Sequence, residues 1–394
     1  MAGESETTFQ DVDANTSFIE NLEHRGTKLS DEITRMLESL EPLPESPGCC
    51  IYKVPDPIRN SNEEAYTPQI ISIGPFHHGS QKLQTMEKFK LRYLKSFKER
   101  SQIIDLEDLV SSIRGVEESV RECYSETIPF GSDDFVKMIL LDASFIIEFF
   151  LKKWSKSWTS HDAKILKPWY WGRLQLDLML LENQLPFFVI HKIYDTALSS
   201  SSIYPSFIDL VIHQFGYTDV QIIEDPNIVM QITHFLHLHR SYICQDSERQ
   251  TERSPGIIQE MHSATQLAEV GIKFMAYSGD LSQSDIKLVG RVMEIPRFKL
   301  DKNTEIYARN LIAFEQCHFP SAAYITDYYF LLRLLIRSQR DVDLLVREKI
   351  IVDWVDDIDA TSVLNKILEN IDCSWMNVNY RHLAEDQTNS MKPA

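Results

Sequence analysis

Four carboxylates stand in strongly apolar surroundings: Asp142 and Glu148 in "LLDASFIIEFF", and Asp177 and Glu182 in "RLQLDLMLLENQLPFF", which also carries Arg173 and Asn183. Removing a charge from water is expensive, so each group must find a partner or shift its proton affinity. Arg173 and Asp177 are spaced i, i+4 and can bond along one helix, which leaves Asp142 or Glu182 to pair across a helix interface. A carboxyl held protonated by apolar neighbours can act as a general acid. The same network can instead pin helix packing.

Histidines supply the second set of candidates. "SIGPFHHG", Ser72 to Gly79, places His77 and His78 between glycines. In an extended segment successive side chains point to opposite faces, so the pair cannot chelate one ion. Gly74-Pro75 and Gly79 supply turn chemistry, and the motif reads as a structural clamp in which one histidine can still face a pocket. "HFLHLHR" sets His234 and His237 at i, i+3 with His239 on the other side, without a third ligand nearby in sequence. "DWVDD" would gather Asp353, Asp356 and Asp357 on one helix face, a set that suits Mg²⁺ against a diphosphate but reads more simply as an acidic turn.

The familiar signatures are missing: no G-x-S-x-G elbow, P-loop, G-x-G-x-x-G, H-E-x-x-H or EF-hand loop occurs. No cofactor and no metal is therefore expected. The six cysteines form no C-x-x-C pair, and Cys49 and Cys50 are adjacent, a spacing that disfavours a disulfide, so reduced structural thiols are expected. The formal net charge of -18 opposes binding to nucleic acid. The N-terminus lacks a basic region followed by an apolar core, and the most apolar window is interrupted by Asp142 and Glu148. The reading is a soluble, cytoplasmic chain without integral membrane association.

The elements that must position these groups are mainly helical. Residues 1–29 are polar, acidic and aperiodic, which predicts a flexible arm. "SDEITRMLESLEPLP" predicts a short helix from Ser30, with the prolines at 42 and 44 as its stop. Short strands are expected near 51–73 and 292–300, the second in "VMEIPRFKLD". The stretch 82–100 predicts a helix with Met86, Phe89, Tyr93 and Phe97 on its packed stripe and Lys88, Lys90, Arg92, Lys95, Lys98 and Arg100 on the other faces. Further helices are read at roughly 104–125, 133–153, 172–197, 205–215, 227–244, 259–274, 305–315, 321–338, 341–350 and 361–371. A single mainly helical unit over 30–371, followed by a polar tail at 372–394, is the expected organisation.

Several ordered blocks resemble one plant family: "CCIYKVPDPIR", "AYTPQIISIGPFHHG", "MEKFKLRYL", "LLDASFIIEFF", "DLMLLENQLPFF", "SATQLAEVGIKF", "IPRFKLDKNTEIYARNLIAFEQ" and "DVDLLVREKII" look like the family called domain of unknown function 247. The resemblance runs from about Cys49 to about Ile371. It implies a flowering-plant source and marks "SIGPFHHG" as a family hallmark. Members mostly have no known chemistry, and some are implicated in pollen and stigma self-incompatibility and in stress or pathogen responses. The membrane-spanning segment with which the family usually ends has no counterpart in "CSWMNVNYRHLAEDQTNSMKPA", which implies a diffusible chain.

Three functional readings follow. The first is an interaction or recognition protein in defence or reproductive signalling, with an unknown protein partner. The second is a cofactor-free acid/base isomerase or cyclase of plant specialised metabolism, taking a small hydrophobic ligand into an apolar pocket and using Asp142, Glu148, Arg173, Asp177 and Glu182, or His77 or His78. The third is peripheral association with the plasma membrane through the basic helix 82–100. Whether the named groups converge on a cavity or are consumed by one another discriminates between the first two.

Overall fold

The computed structural model describes residues 28–37, 48–101, 105–160, 162, 168–198, 203–217, 231–244, 252–277, 286–352 and 359–390. Two compact units are present, Met1–Pro47 and Gly48–Ala394. In the first, residues 28–37 are helical, the described part of the helix expected from Ser30, while the arm expected before residue 28 lies outside the described residues.

The second unit is mainly α. Its centre is α4 (Ser132–Ser155), flanked by α1 (Gln84–Ser101), α2 (Leu106–Arg114), α6 (Phe187–Leu198) and α7 (Phe207–Phe215). The sequence dictates that central place. From Phe135 to Leu151 every residue of α4 except Lys137 is buried, and most are apolar, so nearly all of its surface must be covered. Phe135, Phe145 and Phe149 are fully buried, each contributing on the order of 2 kcal/mol by leaving water. Asp133 and Asp134 in the first turn and Lys152 and Lys153 in the last suit the helix dipole, and Lys156 ends the helix in a left-handed conformation.

The stretch 104–125 divides at Gly115 and Val116 into α2 and a short α3 (Glu117–Arg121). The stretch 172–197 also divides, into α5 (Pro168–Asp177) and α6, around the connector 178–186. The cause lies in the connector's amides: Asn183 Nδ2 donates to Asp177 O at 2.8 Å, and Gln184 Nε2 donates to Leu178 O at 2.7 Å and Leu180 O at 2.8 Å. These side chains take carbonyls that a continuous helix would need, and Pro186 cannot donate an N–H to continue one. Glu182 and Asn183 therefore sit in a loop, not on the helix of Arg173 and Asp177.

Downstream, α8 (Phe235–Ile243) is followed by β1 (Arg253–Pro255), α9 (Ala264–Glu269), β2 (Lys273–Tyr277), β3 (Lys287–Val289), β4 (Val292–Pro296) and β5 (Phe298–Lys299). Then come α10 (Thr304–His318), α11 (Tyr324–Leu335), α12 (Gln339–Arg347), β6 (Ile351–Val352), α13 (Ala360–Ile367), β7 (Trp375–Asn377) and α14 (Val378–Ser390). The strands expected near 292–300 are β4 and β5. Strand β4 pairs parallel with β2 and antiparallel with β3, β5 pairs parallel with β6, and β1 pairs antiparallel with β7. The stretch read as a polar tail contributes β7 and α14, which bury Met376, Tyr380, Leu383 and Ala384.

The expected strands near 51–73 are corrected. The segment holds a single bridge, Ile51 with Tyr124, a one-turn helix at Asp56–Arg59 and a 3-10 turn at Glu63–Tyr66. Two apolar clusters meet along it. Cys50, Ile51, Ile71 and Ile73 enter the cluster around α4, whereas Val54, Ile58, Ala65 and Tyr66 enter the cluster around α10 and α11.

Candidate functional site

Asp142, Glu148, Asp177 and Glu182 all converge on that segment or on its neighbour α1. On α4, Asp142 Oδ2 accepts the Gly74 N–H at 2.8 Å, while Oδ1 lies 2.6 Å from Lys90 Nζ in an ion pair too bent for a directed hydrogen bond. Lys90 also reaches Glu87 Oε1 at 2.5 Å and Ser72 Oγ at 3.4 Å. Burial pushes the Asp142 carboxyl above its ordinary range, with the Lys90 ammonium pulling the other way. Lys90 was assigned to the outer faces of its helix, yet it is fully buried because it answers this charge. Further along α4, Glu148 receives Arg100 Nε at 2.8 Å and a second guanidinium nitrogen at 2.9 Å, a two-point pair of the strong kind.

Asp177, at the end of α5, accepts no fewer than three successive backbone donors. Gln69 N–H lies at 3.1 Å from both oxygens, and Ile70 and Ile71 N–H reach Oδ2 at 2.6 Å and 3.0 Å. Arg173 Nε stands 3.7 Å away along the helix, a looser contact than the backbone makes. Burial pushes Asp177 up to about 6, against the pull of those N–H groups. Next to it, Ile73 N–H donates to Asn183 Oδ1 at 2.7 Å. This explains the missing strand: side-chain oxygens take the N–H donors of residues 69, 70, 71, 73 and 74, which a neighbouring strand would otherwise use.

Glu182 closes the set from the connector. It accepts Val54 N–H at 2.8 Å on one oxygen and Arg59 at 2.6 Å on the other, with His77 Nε2 at 3.2 Å. Burial opposes its charge, but His77, Arg59 and the Val54 N–H outweigh that and hold its carboxyl below the usual range.

The sequence pattern of a plant protein family of unknown function, domain of unknown function 247, matches residues 51–392. The chain belongs to this family. Two UPF0481 proteins of Arabidopsis thaliana are similar to it: one is 30% identical over 343 residues, covering 79% of this chain and 71% of the relative, and the other is 23% identical over 417 residues, covering 82% and 78%. No solved structure matches the chain.

In this family member "SIGPFHHG" packs on the α4 cluster through Ile73 and Phe76 and reaches the Glu182 carboxylate through His77. Gly74 has φ +74°, and a Cβ there would stand 2.3 Å from the Gln184 carbonyl oxygen, so glycine is required both by conformation and by space. His77 and His78 lie in a turn and not in the extended segment expected: the His78 N–H donates to Pro75 O and the Ser80 N–H to His77 O, both at 3.3 Å, and the two rings meet different neighbours. His77 faces Glu182, and His78 lies edge-on to Phe130 with ring centres 5.4 Å apart.

His234 caps α8 rather than lying within it: its Nδ1 accepts the His237 N–H at 3.1 Å and its Nε2 meets Cys50 O at 3.0 Å. Burial holds His234 well below the ordinary imidazole range and lowers His237 to about 3 and His239 to about 4, so all three are neutral near pH 7. Among the described residues no three His, Cys, Asp or Glu side chains converge where a metal ion could sit. Asp353, Asp356 and Asp357 lie outside the described residues. All six cysteines are free thiols. No described helix is long and apolar enough to cross a membrane.

Sequence reasoning missed the cationic halves of the network, Arg59, Lys90 and Arg100, because they come from polar stretches where charge is ordinary. It also missed that the device recurs in the second cluster. Glu315 on α10 receives Arg240 Nε at 3.1 Å and the Ile325 and Thr326 N–H groups at 3.1 Å and 2.8 Å, and Asp327 on α11 receives Arg253 at 2.8 Å and Asn377 N–H at 3.0 Å. The signal was present as a lone acid inside "NLIAFEQ" and "YITDYYF".

Proposed function

We propose that this family member is an interaction protein whose buried charge network holds the 48–79 segment in one shape, and that it is not an acid/base catalyst at those residues. The supporting observation is the saturation of the network. Asp142, Glu148, Asp177 and Glu182 each already hold cationic or backbone donors, so a substrate would have to displace strong buried contacts to reach them. A surface suited to a protein partner is the open cleft of about 560 Å³ beside β1 and β7, lined by Phe330, Leu334 and Ile371, with Ile257 53% and Trp375 50% exposed next to it. The family resemblance directs the search for that partner to defence and reproductive signalling.

The test compares the wild type with Ile257→Asp and Trp375→Ala, variants on the surface with unchanged melting expected, in affinity capture from plant tissue. A partner retained by the wild type and lost by both variants supports the reading. Metabolite profiling in a leaf host supplied with pooled plant extracts tests the opposite: a new product that disappears in folded His77→Ala or Asp142→Asn overturns it.

One observation favours the second reading, a cofactor-free isomerase or cyclase. His77, 13% exposed and 3.2 Å from Glu182, is an acid/base pair at the solvent side of the network. In that reading Glu182 orients the imidazole and Arg59 keeps the carboxylate ionised.

A further inference from the structure

A second cavity, of about 240 Å³, lies in the body between the end of α8, β5, the start of α10 and α11. It shares no lining residue with the network around Asp142, Glu148, Asp177 and Glu182. Most of its wall is apolar, from side chains such as Leu311, Ile325 and Phe298. We propose that it binds a small, neutral ring compound bearing one or two hydrogen-bond-accepting oxygens, the class of aromatic and terpenoid ketones and ethers.

Size sets the first limit. A dry cavity of about 150 Å³ accepts benzene, so this one accommodates about ten non-hydrogen atoms, a substituted ring or a compact bicycle. The polar complement sets the second. Tyr307 and Tyr329 line the cavity, and neither phenol oxygen has a hydrogen-bond partner among the described residues. Burial pushes the Tyr307 phenol up to about 12, so it remains a protonated donor near pH 7. Two phenol donors in a mostly apolar wall match a carbonyl or ether oxygen.

Charge sets the third limit. His239, also in the wall, is neutral near pH 7 and is engaged with Tyr217 at 3.0 Å. The Asp301 carboxylate in the same wall accepts the Asn303 N–H at 2.8 Å and stands opposite in sign to Lys299, so the lining offers no net positive charge to an acid. A carboxylate ligand would meet the Asp301 carboxylate as well as the Lys299 ammonium, so its lost hydration finds no net compensation. The inference does not depend on the interaction reading, since a ligand here can regulate a partner surface or serve chemistry equally.

Calorimetric titration of the full chain with 1-tetralone, its acceptor-free analogue tetralin and the carboxylate 1-naphthoate tests the proposal. The expected result is saturable binding of tetralone with one site, about three- to tenfold tighter than tetralin. Tyr307→Phe with Tyr329→Phe should remove that margin and leave tetralin binding unchanged. Leu311→Trp should fill the cavity and abolish both, and where that variant fails to fold the phenylalanine pair still decides. Absence of saturable binding up to the solubility limit, equal affinity for tetralone and tetralin, or naphthoate binding as tightly as the ketone would each overturn it.

Discussion

Lys90 on α1 and Asp142 on α4 lie 2.6 Å apart with side chains 0% and 1% exposed, and the same carboxylate holds the Gly74 N–H of "SIGPFHHG". Helix α1, helix α4 and the glycine turn thus share one buried charge. Removing Lys90 leaves the Asp142 carboxyl buried without its cation, whereas removing Asp142 leaves Lys90 with Glu87 as its remaining acidic partner.

Lys90→Met should therefore destabilise the chain by about 3–5 kcal/mol in urea unfolding, through the orphaned Asp142 carboxylate. The double variant Lys90→Met with Asp142→Leu should recover most of that loss, because the buried carboxyl goes with its cation and Glu87, which also loses Lys90, is 26% exposed to water. A double variant no more stable than Lys90→Met alone would contradict the role given to the pair.

Asp177 has a distinct pH signature. Its folded-state value near 6 lies above that of an unfolded aspartate at about 3.9, so folding takes up a proton between those pH values. The stability it contributes is fully present below about pH 4 and is lost as pH rises through about 6, a change of about 3 kcal/mol. Asp177→Asn cannot titrate, so wild-type stability relative to this variant should decline over that window in denaturant melts. A flat difference would mean that the Gln69, Ile70 and Ile71 donors hold the carboxyl at its ordinary value.

Two glycines in the turn should answer alanine differently. Gly79 has φ +81° with open space around a Cβ, so Gly79→Ala should cost about 1–2 kcal/mol, the conformational penalty alone. Gly74→Ala adds a clash with the Gln184 backbone and should exceed about 3 kcal/mol or prevent folding. Thermal melts of the two purified variants, side by side, read the difference.

Along α1 the effect of removing a cation should follow burial rather than charge. Arg100→Met breaks the two-point pair with buried Glu148 and should cost about 3 kcal/mol. Lys95, whose contact with Glu99 is long at 3.9 Å and solvent-exposed, should tolerate Lys95→Met within about 0.5 kcal/mol. Equal costs in urea unfolding would show that the helix is stabilised by its overall charge and not by these specific partners.

The helical class, the strongly apolar character of α4, the strands at 292–300 and the family were legible in the sequence, because apolar period, β-branched runs and ordered blocks are local properties of the chain. The sequence also located the unusual acids, since a carboxylate amid Leu, Ile and Phe is visible without coordinates. The tertiary structure decided what those acids do. Lys90 and Asp142 are far apart in the chain, Arg59 and Glu182 farther still, and a partner supplied by folding leaves no periodic trace. The same non-local contacts turned the apolar segment 69–74 into a loop held by side chains instead of a strand, and divided the stretch 172–197 where Asn183 and Gln184 turn back on the backbone. Local propensity proposes an element, and whether its hydrogen bonds go to a neighbouring strand or to a buried carboxylate is fixed only when distant parts of the chain meet.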